Sequence, residues 1–171
     1  MSDELVDIVD ADNTVIGSAF KKEAHEKGLL HRCVVAEIRD SQGRWLLVKQ
    51  ASDRQDAGQY VSPVGGHVQA GESEDDALRR EADEEVGLQG DFEFSFVGRI
   101  IFDRHIIGRH ENHFFALYEI SSDVQPHLNE ESESYKYFTE DEIRTALRER
   151  PQILGHAFHF VLKAFYPQLL A

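Results

Sequence analysis

The sequence lacks three features that would each point to a particular class of protein. It has one cysteine, Cys33, so no disulfide can form within the chain and a reducing, cytoplasmic environment is expected. No apolar run reaches the length of a transmembrane helix and no signal peptide opens the chain, so we expect no membrane insertion. Basic residues are few, with 18 Lys and Arg against 32 Asp and Glu and a formal net charge of −14. This balance argues against nucleic acid and anionic membranes as partners.

What remains is the composition of a globular protein, with 41% hydrophobic and 29% charged residues. A chain of 171 residues predicts a single domain over residues 1–171, large enough to cover both sides of a sheet. Cys33 lies in the apolar segment CVVAEI and is expected in the core, with no role as a nucleophile. An acidic protein of this kind can still bind phosphates through metal ions or a local basic patch.

The order of the predicted elements, ββ–ββ–β–α–ββ–β–αα, indicates an α/β protein with a mixed sheet between helices. Two hairpins open the chain, and the segment KKEAHEKGLLH between them is expected to be irregular or briefly helical. FEFSFVGRIIF and NHFFALYEI are predicted as strands joined by a loop rich in histidine and arginine, IFDRHIIGRHEN. Thr139 and Glu142 form a capping box for one helix, and Pro151 is expected to open the last.

The helix predicted over Ser73–Val86 presents an unusual concentration of acid. On a helical wheel, four carboxylates intrude on the face that should pack against a core, namely those of Glu74, Glu81, Glu84 and Glu85. Like charges four residues apart destabilise a helix, and their partial burial costs more still. Arg79 and Arg80 are expected to point away from this cluster. A solvated acidic face is one interpretation, and a bound divalent cation is the other.

A glycine-rich loop, GGHVQAGE, leads into this helix. Gly65 and Gly66 allow a tight turn that exposes backbone carbonyls and amides, and Gly71 allows a second bend. Glu72 lies at the start of the helix, where a carboxylate can cap amides or hold the loop. Mg²⁺ prefers oxygen ligands and keeps room for water and substrate phosphates, so the loop and the carboxylates together predict a partial magnesium shell.

These residues resemble the complete Nudix box. Residues 66–88 match its fixed positions in order: Gly66, Glu72, Arg80, Glu81, Glu84, Glu85, Gly87 and Leu88. Ala82 departs from it, since the family usually has a bulkier aliphatic residue there. The resemblance implies the Nudix fold, an α/β/α sandwich, and metal-dependent hydrolysis of a nucleoside diphosphate linked to another moiety. It also implies Mg²⁺, or alternatively Mn²⁺, held by Glu81, Glu84, Glu85 and the Gly66 carbonyl, with Arg80 orienting the carboxylates and Glu72 bracing the loop.

A second resemblance, to the Nudix branch that includes type 1 isopentenyl diphosphate isomerases, extends over most of the chain. His25, His31, His67 and Glu111 match or nearly match the metal ligands of those isomerases, and His113 stands where another ligand glutamate is expected. The isomerase cysteine is replaced by Gly65, while the hydrolase box is intact. A hydrolase is therefore favoured, with an isomerase-like enzyme or a catalytically idle phosphate-binding domain as the alternative.

Three sets of residues outside the box complete the candidate site. Glu131 matches the position of a further general base, so the catalytic candidates are Glu81, Glu85 and Glu131, although Glu130 and Glu133 are equally acidic. Contacts to substrate phosphates are expected from Arg54, His67, Arg104 and Arg109, the last two in a basic cluster with His105 and His110 that an exposed loop could also explain. His25 and His31 are a second metal site together with Glu111, a contact to substrate phosphate, or ordinary surface histidines. The expected partner is a small nucleotide or diphosphate, and a homodimer is left open.

Overall fold

One mixed sheet organises the molecule in the computed structural model, which describes residues 3–106 and 108–170. Over these ranges there are nine strands: β1 (Leu5–Val9), β2 (Val15–Phe20), β3 (His31–Arg39), β4 (Trp45–Gln50), β5 (Tyr60–Val61), β6 (Val64–His67), β7 (Glu93–Ile106), β8 (Arg109–Ser121) and β9 (Ser132–Phe138). The α-helices are α1 (Lys21–Lys27), α2 (Glu74–Val86), α3 (Glu140–Glu149) and α4 (His156–Phe165). Short 3₁₀ helices cover Pro151–Ile153 and Pro167–Leu170.

Strand β3 lies at the centre of the sheet. It pairs antiparallel with β1, β4 and β6, and parallel with β8 from His31↔His113 to Arg39↔Ser121. β3 meets β4 at Ile38 and Arg39, whereas it meets β6 at Cys33 to Ala36. The neighbouring strands β4 and β6 therefore share one side of β3 without pairing along their whole lengths, and this leaves room for a cleft.

Helices cover both faces of the sheet, and each face has its own apolar core. Cys33 and Val35 pack with Trp45, Phe158 and other residues on the side of α3 and α4. Val34 and Ala36 face the other way, where α2 buries Leu78 and its neighbours. This alternation along one strand follows from the two-residue repeat of β-structure. The expected α/β/α sandwich is confirmed, as is the burial of Cys33.

The predicted helix over the acidic segment forms with both its ends capped. Ser73 accepts a hydrogen bond from the Asp76 amide at 3.1 Å, and Gly87 ends the helix in the left-handed conformation with φ 69°. Ala82 is fully buried against the sheet. None of the helices described is long and apolar enough to cross a membrane.

Two boundaries predicted from the sequence were wrong. The segment expected to be a loop at residues 101–112 is mostly strand, because β7 and β8 pair from Glu93↔Ser121 out to Ile106↔Arg109. Polar residues occupy both faces of these strands, with Arg104 and Glu111 on one face and His105 and His110 on the other, so the polarity of the segment conceals its strand pattern. Pro151 opens a 3₁₀ turn, and α4 begins only at His156.

Candidate active site

Three glutamates from two distant segments of the chain form a carboxylate cluster, Glu81, Glu85 and Glu131. Glu81 and Glu85 lie on the face of α2 that meets the sheet, and Glu131 lies just before β9. Glu85 accepts a hydrogen bond from the Gly65 amide at 2.9 Å and shares another with Glu131. Of the other acidic neighbours, Glu133 pairs with Lys49 at 3.4 Å and Glu130 is exposed. The fold thus brings Glu131 to the carboxylates of α2.

Gly66 lies against Glu81 so closely that no side chain would fit between them. A Cβ at Gly66 would be 2.2 Å from the carboxyl carbon of Glu81. Glycine at this position therefore lets the strand approach the buried carboxylate. Glu84, one turn of helix from Glu81, is more open, with 56% of its side chain exposed. Glu74 lies apart from the cluster, because it pairs with Arg99.

Arg80 braces this loop, and the expectation that it points away from the carboxylates was wrong. Its guanidinium donates to both carboxylate oxygens of Glu72 at 2.9 Å, to Glu81 at 2.7 Å and to the His67 carbonyl at 2.9 Å. Glu72 in turn accepts a bond from the Gln69 amide at 3.0 Å. The planar Arg80 guanidinium therefore connects the start of α2, the glycine loop and Glu81 through hydrogen bonds.

The surroundings of the carboxylate cluster disfavour the ionised form of its glutamates. Burial raises the pKa of Glu81 to about 7, with Arg80 acting in the opposite direction and Glu84 and Glu131 adding to the rise. Burial also raises the pKa of Glu85 well above its ordinary value, with further contributions from Glu81 and Glu131. Crowded, buried carboxylates of this kind are stabilised in their ionised form by a cation.

A second cluster consists of four imidazoles, those of His25, His31, His67 and His113, and is called the histidine cluster below. One nitrogen of each lies within 4.8 Å of one nitrogen of every other. The Nε2 atoms of His25 and His113 are 3.2 Å apart, and the rings of His31 and His67 are stacked at 5.2 Å. The His31 Nδ1 atom hydrogen-bonds the Leu29 carbonyl at 2.8 Å, so Nδ1 carries the proton and Nε2 is left free.

The histidine cluster is neutral. Burial, followed by His31, lowers the pKa of His25 to about 4, and burial also lowers the pKa of His31. The pKa values of His67 and His113 lie well below the usual range, again chiefly because of burial and then because of the other imidazoles. The Nε2 atoms of His31 and His67 are buried without a hydrogen-bond partner. Unprotonated nitrogens that converge in this way are the donors that metal ions of intermediate softness prefer.

The arginines expected to bind phosphate lie close to acidic partners. Arg104 and Arg109 each contact the Glu111 carboxylate at 2.7 Å, and Arg54 contacts Glu131 at 3.2 Å. Glu111 lies outside the four-imidazole set, although its charge acts on His25 and His31. Two arginines on one carboxylate leave this group of three side chains with one excess positive charge.

A cleft of about 440 Å³ joins these groups. Its lining includes Glu85, Glu131 and the adjacent Arg54, together with Arg104, Arg109, His67 and His113. Its floor is apolar and includes Phe102 and Phe158. A phosphate ester with an organic substituent could therefore place its charged part among the arginines and carboxylates and its apolar part on the floor.

From the sequence, His67 was expected among the substrate contacts and also matched an isomerase metal ligand, whereas His113 was noted only at the position of an expected ligand glutamate. Both join His25 and His31 in the structure because β3 pairs with β6 at Cys33↔His67 and with β8 at His31↔His113. Single histidines in one helix and three strands are a weak signal by themselves. The isomerase resemblance suggested that three of them act together, and the strand order shows that all four are in contact.

Comparison with known proteins agrees with the fold and the box. The NUDIX domain family matches residues 29–158. An uncharacterized Nudix hydrolase of Streptomyces coelicolor is 37% identical over 137 residues, which are 75% of this chain and 71% of that protein. Isopentenyl-diphosphate Delta-isomerase 1 of Aromatoleum aromaticum is 34% identical over 175 residues, covering 100% of this chain and 94% of that one. The crystal structure of DR0079 from Deinococcus radiodurans superimposes with a TM-score of 0.76 at 22% identity, over 95% and 99% of the two chains. The chain therefore belongs to the Nudix hydrolase family.

Proposed function

We propose that this protein is a Mg²⁺-dependent hydrolase that cleaves a phosphoanhydride bond in a nucleoside diphosphate linked to another moiety, or in a related nucleotide. The observation that supports this most is the convergence of Glu81, Glu85 and Glu131 beside Gly66, at a cleft that arginines also line. These are oxygen donors in a crowded, acidic site, which suits a hard divalent cation. Mn²⁺ is the alternative ion. When bound, such an ion would withdraw charge from the phosphates and lower the pKa of a water.

The chain's own residues supply the rest of the chemistry. Arg104 and Arg109 bind the negatively charged phosphates and orient the phosphoanhydride across the cleft toward Glu85. Glu131 accepts the proton of the attacking water, because it borders the cleft beside Glu85 and Arg54 holds it there. Arg80 is a positioning residue that fixes Glu81 and the loop through Glu72.

A panel of nucleoside diphosphate conjugates, dinucleoside polyphosphates and nucleoside triphosphates with Mg²⁺, assayed for the phosphate products, tests this proposal. We expect at least one compound to be hydrolysed by the native chain and not by Glu85→Gln. Asp83→Asn is the matched control, since Asp83 is an exposed acid on the same helix. Absence of hydrolysis across the panel, with either Mg²⁺ or Mn²⁺, would overturn the assignment.

We further propose that the histidine cluster is a second metal site, separate from the carboxylates. Four neutral imidazoles suit Zn²⁺, Co²⁺ or Mn²⁺ better than they suit Mg²⁺. Glu111 is close enough to lend charge to such an ion, and Arg104 and Arg109 hold its carboxylate in place. We expect His25→Gln to lose one equivalent of tightly bound Co²⁺, and the visible absorption of the ion measures this loss.

The histidine cluster also favours a second candidate function, isomerisation of isopentenyl diphosphate, and so does the isomerase relative that covers the whole chain. Gly65 stands against this function, because it leaves no acid at the position of the isomerase cysteine. A Cβ at Gly65 would meet only the Val34 carbonyl at 3.8 Å, so a cysteine fits there. Isomerisation of isopentenyl diphosphate by the native chain would favour the second candidate. Activity that arises only in Gly65→Cys would support the hydrolase.

In the cell, a single buried cysteine suits the cytoplasm, and we propose that location together with a small-molecule nucleotide as the partner.

A further inference from the structure

The outer end of the β7–β8 hairpin bears a separate group of metal-binding side chains, Asp103, His105 and His110. One donor atom of each lies within 4.8 Å of one donor atom of both others. His105 is paired with His110 across the two strands, and Asp103 is two residues before His105. Because side chains alternate along a strand, all three project from the same face of the hairpin. Arg104 and Glu111, which also form a cross-strand pair, project toward the cleft on the other face.

Packing against α1 fixes the position of the His110 ring. Gly28, the left-handed residue after α1, lies so close that a Cβ there would be 2.0 Å from His110 Nδ1. The Asn112 side chain donates to the Gly28 carbonyl at 3.1 Å and holds the strand against the end of the helix. His110 Nδ1 therefore faces the backbone of Gly28, and Nε2 points outward to Asp103, whose carboxylate oxygen is 2.5 Å away.

The two imidazoles face each other at close range. The rings of His105 and His110 are stacked with centroids 4.1 Å apart and planes inclined by 20°. Glu26 of α1 borders the same depression on the surface. Two imidazoles and one carboxylate, with a further acid close by, form a donor set that suits Zn²⁺ and similar ions, whereas Mg²⁺ prefers oxygen alone.

We propose that Asp103, His105 and His110 form a site for a Zn²⁺-class cation that joins β7 to β8. Ligands at about 2.0–2.2 Å from a tetrahedral zinc are about 3.3 Å from one another. The Asp103 and His110 donors are closer than this, so the ion would replace their hydrogen bond after a shift of about 1 Å. The site is independent of the proposed hydrolysis, because it lies on the face of the hairpin that is turned away from the cleft.

An ion bound at this hairpin site should also affect the cleft, because β7 and β8 carry residues of both. Arg104 lies between Asp103 and His105 in the chain, and Arg109 precedes His110. Both arginines hold Glu111 on the cleft side. An ion that ties the outer face of the two strands therefore restricts the backbone that presents both arginines. We expect Zn²⁺ to slow amide hydrogen exchange over residues 101–112 in the full chain.

Calorimetric titration with Zn²⁺ tests the site, and the histidine cluster must be separated from it. The background is therefore His25→Gln/His67→Gln, in which we expect one remaining equivalent of bound zinc. Adding His105→Asn/His110→Asn to this background should abolish that equivalent. Adding His127→Asn, which removes an exposed histidine elsewhere, should leave it unchanged. Equal zinc binding in these two combined variants would overturn the proposal.

A second measurement keeps the test decisive if the background variant is unstable. In the otherwise native chain, Asp103→Asn should weaken the hairpin equivalent of zinc about tenfold and remove the slowing of hydrogen exchange at residues 101–112. The His127→Asn chain should keep both. Slowed exchange that persists in Asp103→Asn and in His105→Asn/His110→Asn would show that zinc acts from another place, and the proposal would be wrong.

Discussion

Two neighbouring residues of β6 serve two clusters of opposite chemistry. Gly66 lies against Glu81 on the α2 side, whereas His67 joins the imidazoles on the other side. The alternation of a β-strand is enough to separate them, since adjacent residues face opposite ways. Both clusters reach one cleft through Glu85 and His113. A single short strand thus positions a hard, anionic donor set and a softer, neutral one within the same site.

In both clusters the charged form of the side chains is disfavoured for the same physical reason. Burial raises the pKa values of Glu81 and Glu85 and lowers those of His25 and His67, so each cluster moves toward its neutral form. Like groups in each cluster reinforce the shift. A bound cation would stabilise the ionised carboxylates by its charge. It would stabilise the neutral imidazoles by accepting the lone pairs of their unprotonated nitrogens. The same burial therefore creates two donor sets of different softness, which under the proposed assignments would select different ions.

The largest effect should follow removal of one charge from the carboxylate cluster. We expect Glu85→Gln to lower turnover by at least about 100-fold, because charge stabilisation at such a site is worth several kcal/mol. The fold should persist, since the variant retains an acceptor for the Gly65 amide. Steady-state rates at saturating Mg²⁺, with Asp83→Asn as control, provide the measurement. Near-normal turnover would remove the carboxylates from the catalytic site.

Glu37 is a buried acid outside both clusters, so its pKa shows the effect of burial without that of like-charged neighbours. It is 1% exposed and far from either cluster in the sheet, and it accepts one hydrogen bond from Ser62 at 3.0 Å. Burial raises the pKa of Glu37 to about 8 from an ordinary 4.5. The pKa of this acid is higher in the folded protein than in the unfolded chain, so its contribution to stability is fully present below pH 4.5. That contribution is lost as the pH rises from 4.5 toward 8.

Glu37→Gln should therefore make stability less dependent on pH over this range. One pKa unit corresponds to about 1.4 kcal/mol, so the variant should gain a few kcal/mol over the native chain between pH 5 and pH 9. Urea unfolding at several pH values measures the difference. Parallel pH profiles of the two proteins would show that Glu37 does not titrate as burial requires.

The sequence predicted the carboxylate cluster much better than the histidine cluster. Glu81, Glu84 and Glu85 lie within a single helix, so local spacing was sufficient to group them. Glu131 required the loop before β9 to return to α2, and the resemblance supplied that position. The roles of all four remain predictions.

The histidine cluster depends on long-range pairing. His31, His67 and His113 come from three strands, and their contact requires β3 to lie between β6 and β8. No local pattern encodes that order. The prediction of a loop at residues 101–112 was wrong for a related reason, because strand pairing overrides the polar composition of the segment.

A moderate effect should follow from adding Mg²⁺ to the native chain. A ligand that binds only the folded state at 100 times its Kd stabilises it by about 2.7 kcal/mol, or several degrees in Tm for a chain of this size. Glu85→Gln should lose most of this rise, whereas His25→Gln should keep it. EDTA should leave the protein folded, because both main cores lie outside the two clusters. Unfolding on chelation would assign a structural metal.

The smallest effect is expected from the histidine cluster, and it is the sharpest test of the comparison. His25→Gln/His31→Asn should leave Mg²⁺-dependent hydrolysis within about threefold of the native rate, because carboxylates and water complete a magnesium shell without imidazole. The asparagine amide can replace the bond from His31 Nδ1 to the Leu29 carbonyl. The same variant should bind one equivalent of Co²⁺ fewer than the native chain, which would confirm that the cluster has been disabled. A loss of hydrolysis as severe as that of Glu85→Gln, in a chain with native circular dichroism, would mean that the imidazoles act on the same substrate as the carboxylates. The two clusters would then be one catalytic centre divided between the two faces of β6.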